Sequence, residues 1–431
     1  MTVGEAPPPQ RRPFLRAHGR SLPHVELRNY AYLLISIVWC GVLLGPIYRP
    51  AGHGLDVFGY QIGRDFINVW AAPRLAFSGQ IARLFNLGQY AAAISQQFGQ
   101  PIPFHNWSYP PFALIAFWPI SQLPYFWALA VWSIGLFALY AVAARALVPV
   151  DTRLYLTLAL ACSPASIINL LGGQNGFLSA ALFLGGVLLC DRRPLIAGVL
   201  FGLLTFKPQL GLVLPLALLA LGAWRTIFAA VLTAALLVGA SIVIFGLEPW
   251  THYLGDTSAY QLGLLKVFRG FYPCMMTSVL AGARIFGAPF SVAAVIQAAV
   301  SVPVGLLAAW TMRWTDVPAR RAFILASAAA LMTPYAFNYD LTALSATILW
   351  RLTVDPPPAG SLRETCLRLA WLAPILMMWL NAHAIGVAPF FILAVFIMAV
   401  WEVRPNQPKM ASAGPGPIAP ELDQQGAMLR T

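Results

Sequence analysis

Between clusters of arginine the chain runs through apolar stretches of roughly thirty to forty residues, each broken near its middle by a short polar insert. The inserts are GGQNG (172–176) within 154–190, FKPQ (206–209) within 194–224, TPYAFNYD (333–340) within 322–350 and NAH (381–383) within 369–401. A membrane-crossing helix needs about 20 apolar residues. Each stretch is therefore too long for one crossing and barely enough for two. Polar or irregular backbone at membrane depth is tolerated only where protein buries it or water reaches it. If the arginines share one side, the four inserts converge on the other, around one hydrated cavity.

Composition agrees. Of 431 residues, 59% are hydrophobic and 10% charged, against about 25% charged in ordinary globular domains. The reading is an all-α polytopic membrane protein with about ten to thirteen membrane helices. The net charge of +12 is distributed as the positive-inside rule places it, in short loops, so it sets orientation and implies no nucleic-acid partner. Arg11, Arg12, Arg16, Arg20 and Arg28 mark a cytoplasmic N-terminus. Arg145/Arg153, Arg192/Arg193, Arg225, Arg313/Arg320/Arg321, Arg351/Arg363/Arg368 and the tail from Arg404 mark the same side. The membrane domain is expected over 29–403, with disordered ends at 1–28 and 404–431. The first apolar run (30–48) is long enough to span and lacks a small-residue cleavage site, so it reads as an anchored helix leaving the cytoplasm. Cys40, Cys162, Cys190, Cys274 and Cys366 show no CxxC or metal-ligand spacing and read as small buried hydrophobes.

A long external loop, 49–108, follows. Two segments in it, 64–78 and 86–98, mix apolar and polar positions too evenly to span and are expected as interfacial helices on the outer membrane surface. The loop ends in FHNWSYPPF (104–112). The segment 109–120 is short for a crossing, which leaves the Pro119–Pro124 hairpin the weakest part of the topology.

Few residues can carry chemistry. IGRDFINVW (62–70) sets Arg64 beside Asp65, the favoured external carboxylate; Asp56, in a glycine-rich segment, is less favoured. Lys207 costs about 2.5–3.5 kcal/mol in lipid. It reads as a snorkelling lysine or as a phosphate-binding cation helped by Gln209. Gln174 and Asn175 are amides near lipid that need partners. Asp340 is the carboxylate of an embedded insert, for an ion pair with Lys207 or for substrate contact. Arg64 suits either a lipid phosphate or the tuning of Asp65. His105, Tyr109, His252 and His383 suit the headgroup region, Trp70 and Trp107 are candidates to stack on a sugar, and Lys266 and Arg269 suit a lipid phosphate. No Walker loop, HExxH, GxSxG or DxD sequence supports a nucleotide-dependent reaction.

GQNGFLSAALFLGG, DRRPLIAGVLFGLLTFKPQLGLVLPLALL, the loop RDFINVWAAPRLAFSG with WSYPPF, and TPYAFNYDLTAL together resemble glycosyltransferase family 87. That family is a branch of the GT-C membrane transferases. The resemblance spans roughly 60–350. It implies transfer of a hexose, often mannose, from a polyprenyl-phosphate sugar to a lipid or glycan acceptor outside the membrane. It also implies a carboxylate base in the first external loop, the place Asp65 occupies. Where some relatives carry histidine, this chain reads Asn338-Tyr339-Asp340.

The residues fit such chemistry independently. Glycosyl transfer needs a base for the acceptor hydroxyl and cations for the departing phosphate. One carboxylate suffices for an inverting displacement, and a monophosphate leaving group can be held by Lys or Arg without a metal or other cofactor. The expectation is an inner-membrane enzyme of bacterial type acting at the periplasmic face, with membrane lipids as neighbours. Asp65 is the base, and Arg64, Lys207, Gln209, Gln174, Asn175, Tyr109, Arg269 and Asp340 hold substrate. A transporter of lipid-linked sugar would use the same cavity without a base. A non-catalytic assembly subunit predicts that Asp65 and Lys207 lie more than about 20–24 Å apart, two helix diameters.

Overall fold

The computed structural model describes residues 27–403 apart from Phe104; the expected ends 1–28 and 404–431 lie outside the described residues, except Leu27 and Arg28. α1 (Leu27–Leu44) stops short of the expected 30–48, because Pro46 cannot continue a helix. A short hairpin pairs Pro50–Gly52 with Leu55–Asp56. The segment 49–108 then forms α2 (Phe66–Leu75) and α3 (Leu87–Phe98), and α4 (Phe112–Ser121) follows before α5 (Tyr125–Arg145). α6 (Arg153–Ala161) and α7 (Pro164–Gly172) follow with a 55° bend between them. Ser163 sits at that bend, its hydroxyl accepting from the Ser166 N–H, with Pro164 opening the new helix, a combination that starts a helix rather than extends one.

GGQN turns the chain into α8 (Gly176–Leu189), and α9 (Pro194–Leu203) climbs back to Lys207 before α10 (Leu214–Ala220) and the long α11 (Trp224–Phe245). α12 (Glu248–His252), α13 (Ser258–Val267) and α14 (Tyr272–Met275) cover the far end. α15 (Val279–Ile285), α16 (Phe290–Thr311), α17 (Pro318–Met332), α18 (Thr342–Val354), α19 (Leu362–Ala382) and α20 (Ala388–Trp401) complete the bundle. The fold is an all-α polytopic membrane protein.

Among the described residues, α5, α11, α16 and α19 are long and apolar enough to cross a membrane alone, and bent α6–α7 passes the same test when taken together. α1, α4, α8, α9, α10 and α20 are shorter apolar helices beside them. The polar inserts stop the helices that meet them: α8 is 14 residues long, a rise of about 21 Å against a hydrocarbon core of about 30 Å. Much of α11 lacks protein neighbours, with Phe228, Val231, Leu236 and Val243 exposed, as lipid-facing side chains are.

The arginines are tied together at one end. Arg321 pairs with Asp191 of the α8–α9 turn at 2.8 Å, and Arg351 with Glu402 after α20 at 2.7 Å. Arg368 and Arg28 share Glu364 at the start of α19. The inserts lie toward the other end, and two contacts measure their depth. Trp132 Nε1 donates to the Gln174 carbonyl, seven residues below the outer end of α5. Asn338 Nδ2 donates to the Pro374 carbonyl, eight residues below the outer end of α19. Both place the inserts about 10–12 Å below the helix tops.

α2 departs from expectation. It does not lie on a membrane surface: Phe66, Ile67, Ala71 and Ala72 are fully buried between α4 and α5. Its polar positions point to protein instead of water, with Trp70 Nε1 donating to the Leu123 carbonyl and Arg74 to that of Ser121. α3 is amphipathic as expected, burying Tyr90, Ala93 and Ile94. α4, 10 residues long, is too short to span and packs against α2, α5 and α11.

GGQNG is the hinge of this arrangement. Gly173 has φ +56, and a Cβ there would lie 2.5 Å from both the Gly63 carbonyl oxygen and Phe66 Cβ. A Cβ at Gly176 would collide with the Tyr339 carbonyl oxygen. The two glycines thus admit the backbone before α2 on one side and the 333–340 insert on the other. Gly173→Ala is expected to lower stability by about 1–3 kcal/mol, read as an earlier thermal transition of the detergent-solubilised chain.

Candidate active site

Asp65 holds the first position before α2, where an aspartate ordinarily caps the helix by accepting backbone N–H bonds. Its side chain makes no such cap. Instead Oδ2 accepts from Gln174 Nε2, and Oδ1 has no hydrogen bond within the protein among the described residues. The backbone N–H of Asp65 is anchored on the Gly172 carbonyl at 3.2 Å. A carboxylate set at a helix N-terminus, where the dipole favours negative charge, with one oxygen held and one uncommitted, is placed to accept a proton.

A line of contacts leads inward from it. Asn175 follows Gln174; its Nδ2 donates to the Tyr109 hydroxyl at 2.7 Å and its Oδ1 accepts from Lys207 Nζ at 2.9 Å. Lys207 also pairs with Asp340, and its ammonium lies 4.8 Å from the centre of the Tyr339 ring. Tyr109 accepts from Asn175, and its own phenolic proton has no acceptor among the described residues.

Asp65 stands where two lobes of a cavity meet. The larger, about 500 Å³, is mostly aromatic, walled by Tyr48, Phe58, Tyr60, His105, Phe271 and Tyr272. The smaller, about 290 Å³, is polar and walled by Tyr109, Lys207, Gln209, Tyr253, Ser258 and Gln261. Asp65, Asn68, Asn106, Gln174, Tyr272 and Tyr339 border both. Asp65 and Lys207 thus share one lobe, contrary to what an assembly subunit predicts.

Arg64 turns away from Asp65. It reaches Asp56 Oδ2 through Nε at 2.8 Å and Nη2 at 2.7 Å, donates to the Ile47 carbonyl, and lies 4.4 Å from the Tyr48 ring centre. Its φ of +32 is a conformation that side-chain-bearing residues rarely adopt, and the Asp56 pair holds it there. Asp56 is 3% exposed; its other oxygen accepts the N–H groups of Phe58 and Tyr60. Both its oxygens are occupied, so Asp56 braces the turn that presents Asp65.

Gln209 borders the polar lobe and makes no side-chain hydrogen bond among the described residues. Arg269 is exposed at the end of α13 and borders neither lobe, and Lys266 is exposed nearby. Sequence spacing placed both in the outer loop, but α13 directs them away from the cavity. Trp70 and Trp107 are buried and border neither lobe. The fourth insert does not join the other three: Asn381 ties down the Pro273 and Met276 carbonyls and His383 is exposed on Trp379. Asn381 and Ala382 are the last two residues of α19, so this insert ends a full-length helix and lines neither lobe. His252 is half-exposed, and its hydrogen bond to Asp256 raises its pKa.

His105 proves to be a cavity wall rather than a headgroup contact. Its Nδ1–H donates to the Pro103 carbonyl at 2.8 Å. Burial lowers its pKa, opposed by the Asp65 charge, so the imidazole facing the aromatic lobe is neutral near pH 7. Burial likewise pushes the Tyr48 hydroxyl up to about 12, keeping it a donor. Sequence reasoning missed Asn68, Tyr272 and Tyr339. Asn68 was findable, lying three residues after Asp65 on the same helix face; its carbonyl accepts from Tyr90 at 2.8 Å.

Polar groups sunk below the helix tops, around a lobed cavity in a lipid-facing bundle, define a membrane protein that handles a part-polar, part-apolar substrate. The model of glycosyltransferase family 87 matches residues 107–334, more than half of the chain, and the chain belongs to that family. It is a multi-pass membrane glycosyltransferase. No curated protein and no solved structure matches it. The matched region holds Tyr109, Gln174, Asn175, Lys207 and Gln209, while Asp65 and Asp340 flank it.

Proposed function

We propose that this glycosyltransferase moves a hexose, mannose by the family resemblance, from a polyprenyl-phosphate sugar to a lipid or glycan hydroxyl, with inversion and without a metal. The observation that carries the reading is Asp65, uncommitted at Oδ1, at the junction of a polar lobe holding a buried ammonium and an aromatic lobe. The polar lobe suits the sugar phosphate, with hydroxyl and amide groups for the ring and Lys207 for the phosphate. The aromatic lobe suits the acceptor, because sugar C–H faces and lipid chains both pack on aromatic rings.

In the proposed step the acceptor oxygen attacks the anomeric carbon and its proton passes to Asp65. The bond from that carbon to the phosphate oxygen breaks, and its electron pair leaves on the phosphate. Lys207 then neutralises charge that develops only as the bond breaks, so its stabilisation is greater in the transition state than in the ground state. The Tyr109 hydroxyl, its proton free, donates to a substrate oxygen. Tyr109→Phe is expected to lower kcat/KM about tenfold, the worth of one hydrogen bond to a charged acceptor, with the fold intact.

The arginine end belongs in the cytoplasm by the positive-inside rule, which sets the cavity at the periplasmic face of a bacterial plasma membrane. Membership of a transferase family, and a carboxylate that transport does not need, weigh against a transporter. Incubating the purified chain with labelled polyprenyl-phosphate sugars and chelator tests the proposal. Transfer from a nucleotide sugar alone, or from no donor, would sink it.

A further inference from the structure

Lys207 is not a bare cation awaiting a ligand. Two of its three N–H donors have acceptors, Asn175 Oδ1 and Asp340 Oδ1. Asp340 reaches it from behind the polar lobe. Its side chain is 1% exposed and borders a separate void of about 20 Å³, walled by Ser179 and apolar side chains of α8, α17 and α18. Lys207 itself borders the polar lobe, and Asp340 does not. Asp340 Oδ2 accepts the Phe337 N–H at 3.1 Å, so the carboxylate stays anchored whether or not it holds Lys207.

A phosphate in the polar lobe and the carboxylate behind it therefore compete for one ammonium. Arg64, on the wall of the aromatic lobe, is paired with Asp56, and among the described residues that line the polar lobe Lys207 is the cation facing Asp65, with Asp340 behind it. While the Lys207–Asp340 pair is closed, an anion entering the lobe meets little attraction and the unpaired charge of Asp65.

We propose that the Lys207–Asp340 pair is an exchangeable latch: Asp340 holds the ammonium back in the empty cavity and yields it to the phosphate of the donor. This rests on the reading of Lys207 as the phosphate ligand. As the sugar departs, the phosphate passes from a singly charged diester to a monoester that gains a second charge. Its pull on Lys207 therefore rises along the reaction, while that of Asp340 does not. The latch weakens ground-state binding more than transition-state binding, which favours turnover over tight substrate capture. Asp340 also borders a void with room for one water. Asp340 acts through Lys207, as a positioning residue.

The full-length chain in detergent, with farnesyl phosphate as the probe, tests this. Wild type is expected to bind, Lys207→Gln to bind at least tenfold more weakly, and Asp340→Asn at least fivefold more tightly. With the polyprenyl-phosphate sugar, Asp340→Asn should lower both KM and kcat, a split that a merely structural role for Asp340 does not produce. Unchanged or weaker binding by Asp340→Asn overturns the latch while leaving Lys207 as phosphate ligand. Equal binding by wild type and Lys207→Gln, or none by either, overturns that ligand assignment and the latch with it. If Asp340→Asn does not fold, a structure of the wild-type chain with farnesyl phosphate decides the point. Lys207 bonded to phosphate and parted from Asp340 supports the latch, and an unbroken pair beside bound phosphate overturns it.

Discussion

Asp65→Asn should cut transfer by about 10²–10⁴-fold, the usual contribution of a positioned general base, while the protein folds and inserts as before. The structure explains why the two effects separate. Asp65 does not cap α2 through its side chain, and its backbone anchor on Gly172 survives the substitution. Asparagine can still meet Gln174 by turning its amide oxygen toward Nε2. What it loses is basicity at the uncommitted position. Turnover and thermal transition should be measured on the same preparation. Full activity in a folded Asp65→Asn protein would remove Asp65 as the base, and Asp56, whose two oxygens are occupied, would not be its replacement.

The second large effect is expected at Lys207. Lys207→Gln should lower kcat/KM by about 10²–10³-fold, the loss seen when one preorganised group facing developing charge is removed. This substitution also strips Asp340 of its partner in a buried site. Breaking such a pair from one side costs about 3–5 kcal/mol, so some lost activity would reflect lost protein. The double variant Lys207→Gln with Asp340→Asn separates the two. It removes both charges and should recover most of the stability, since a neutral pair needs no compensation, yet transfer should stay low. Recovery of transfer along with stability would show that Lys207 serves the fold and not the phosphate.

Much of the site was legible because membranes make polar residues expensive. Each insert in an apolar run had to be buried by protein or wetted, and three of the four, GGQNG, FKPQ and TPYAFNYD, meet at the cavity. The fourth, NAH, obeys the same rule differently: Asn381 is spent on the carbonyls of Pro273 and Met276. Local sequence could not separate these outcomes, because the difference is whether the insert interrupts a helix midway or, as in α19, ends it. The interfacial reading of the segment 64–78 failed for a related reason. A mixed apolar and polar face suits a membrane surface, and it equally suits a protein interior in which Trp70 and Arg74 find backbone carbonyls.

The sequence by itself determined the class of fold, the side on which the arginines gather, and the short list of groups able to bear charge in lipid. These follow from transfer free energies, which act residue by residue and need no knowledge of neighbours. The tertiary structure decided who pairs with whom. It paired Arg64 with Asp56 on the wall of the aromatic lobe, tied Lys207 to Asp340, left Arg269 off both lobes, and left Asp65 with one free oxygen between them. Pairing depends on where backbones cross, and here the crossing is set by Gly173 and Gly176, where the absence of two Cβ atoms lets three distant segments touch.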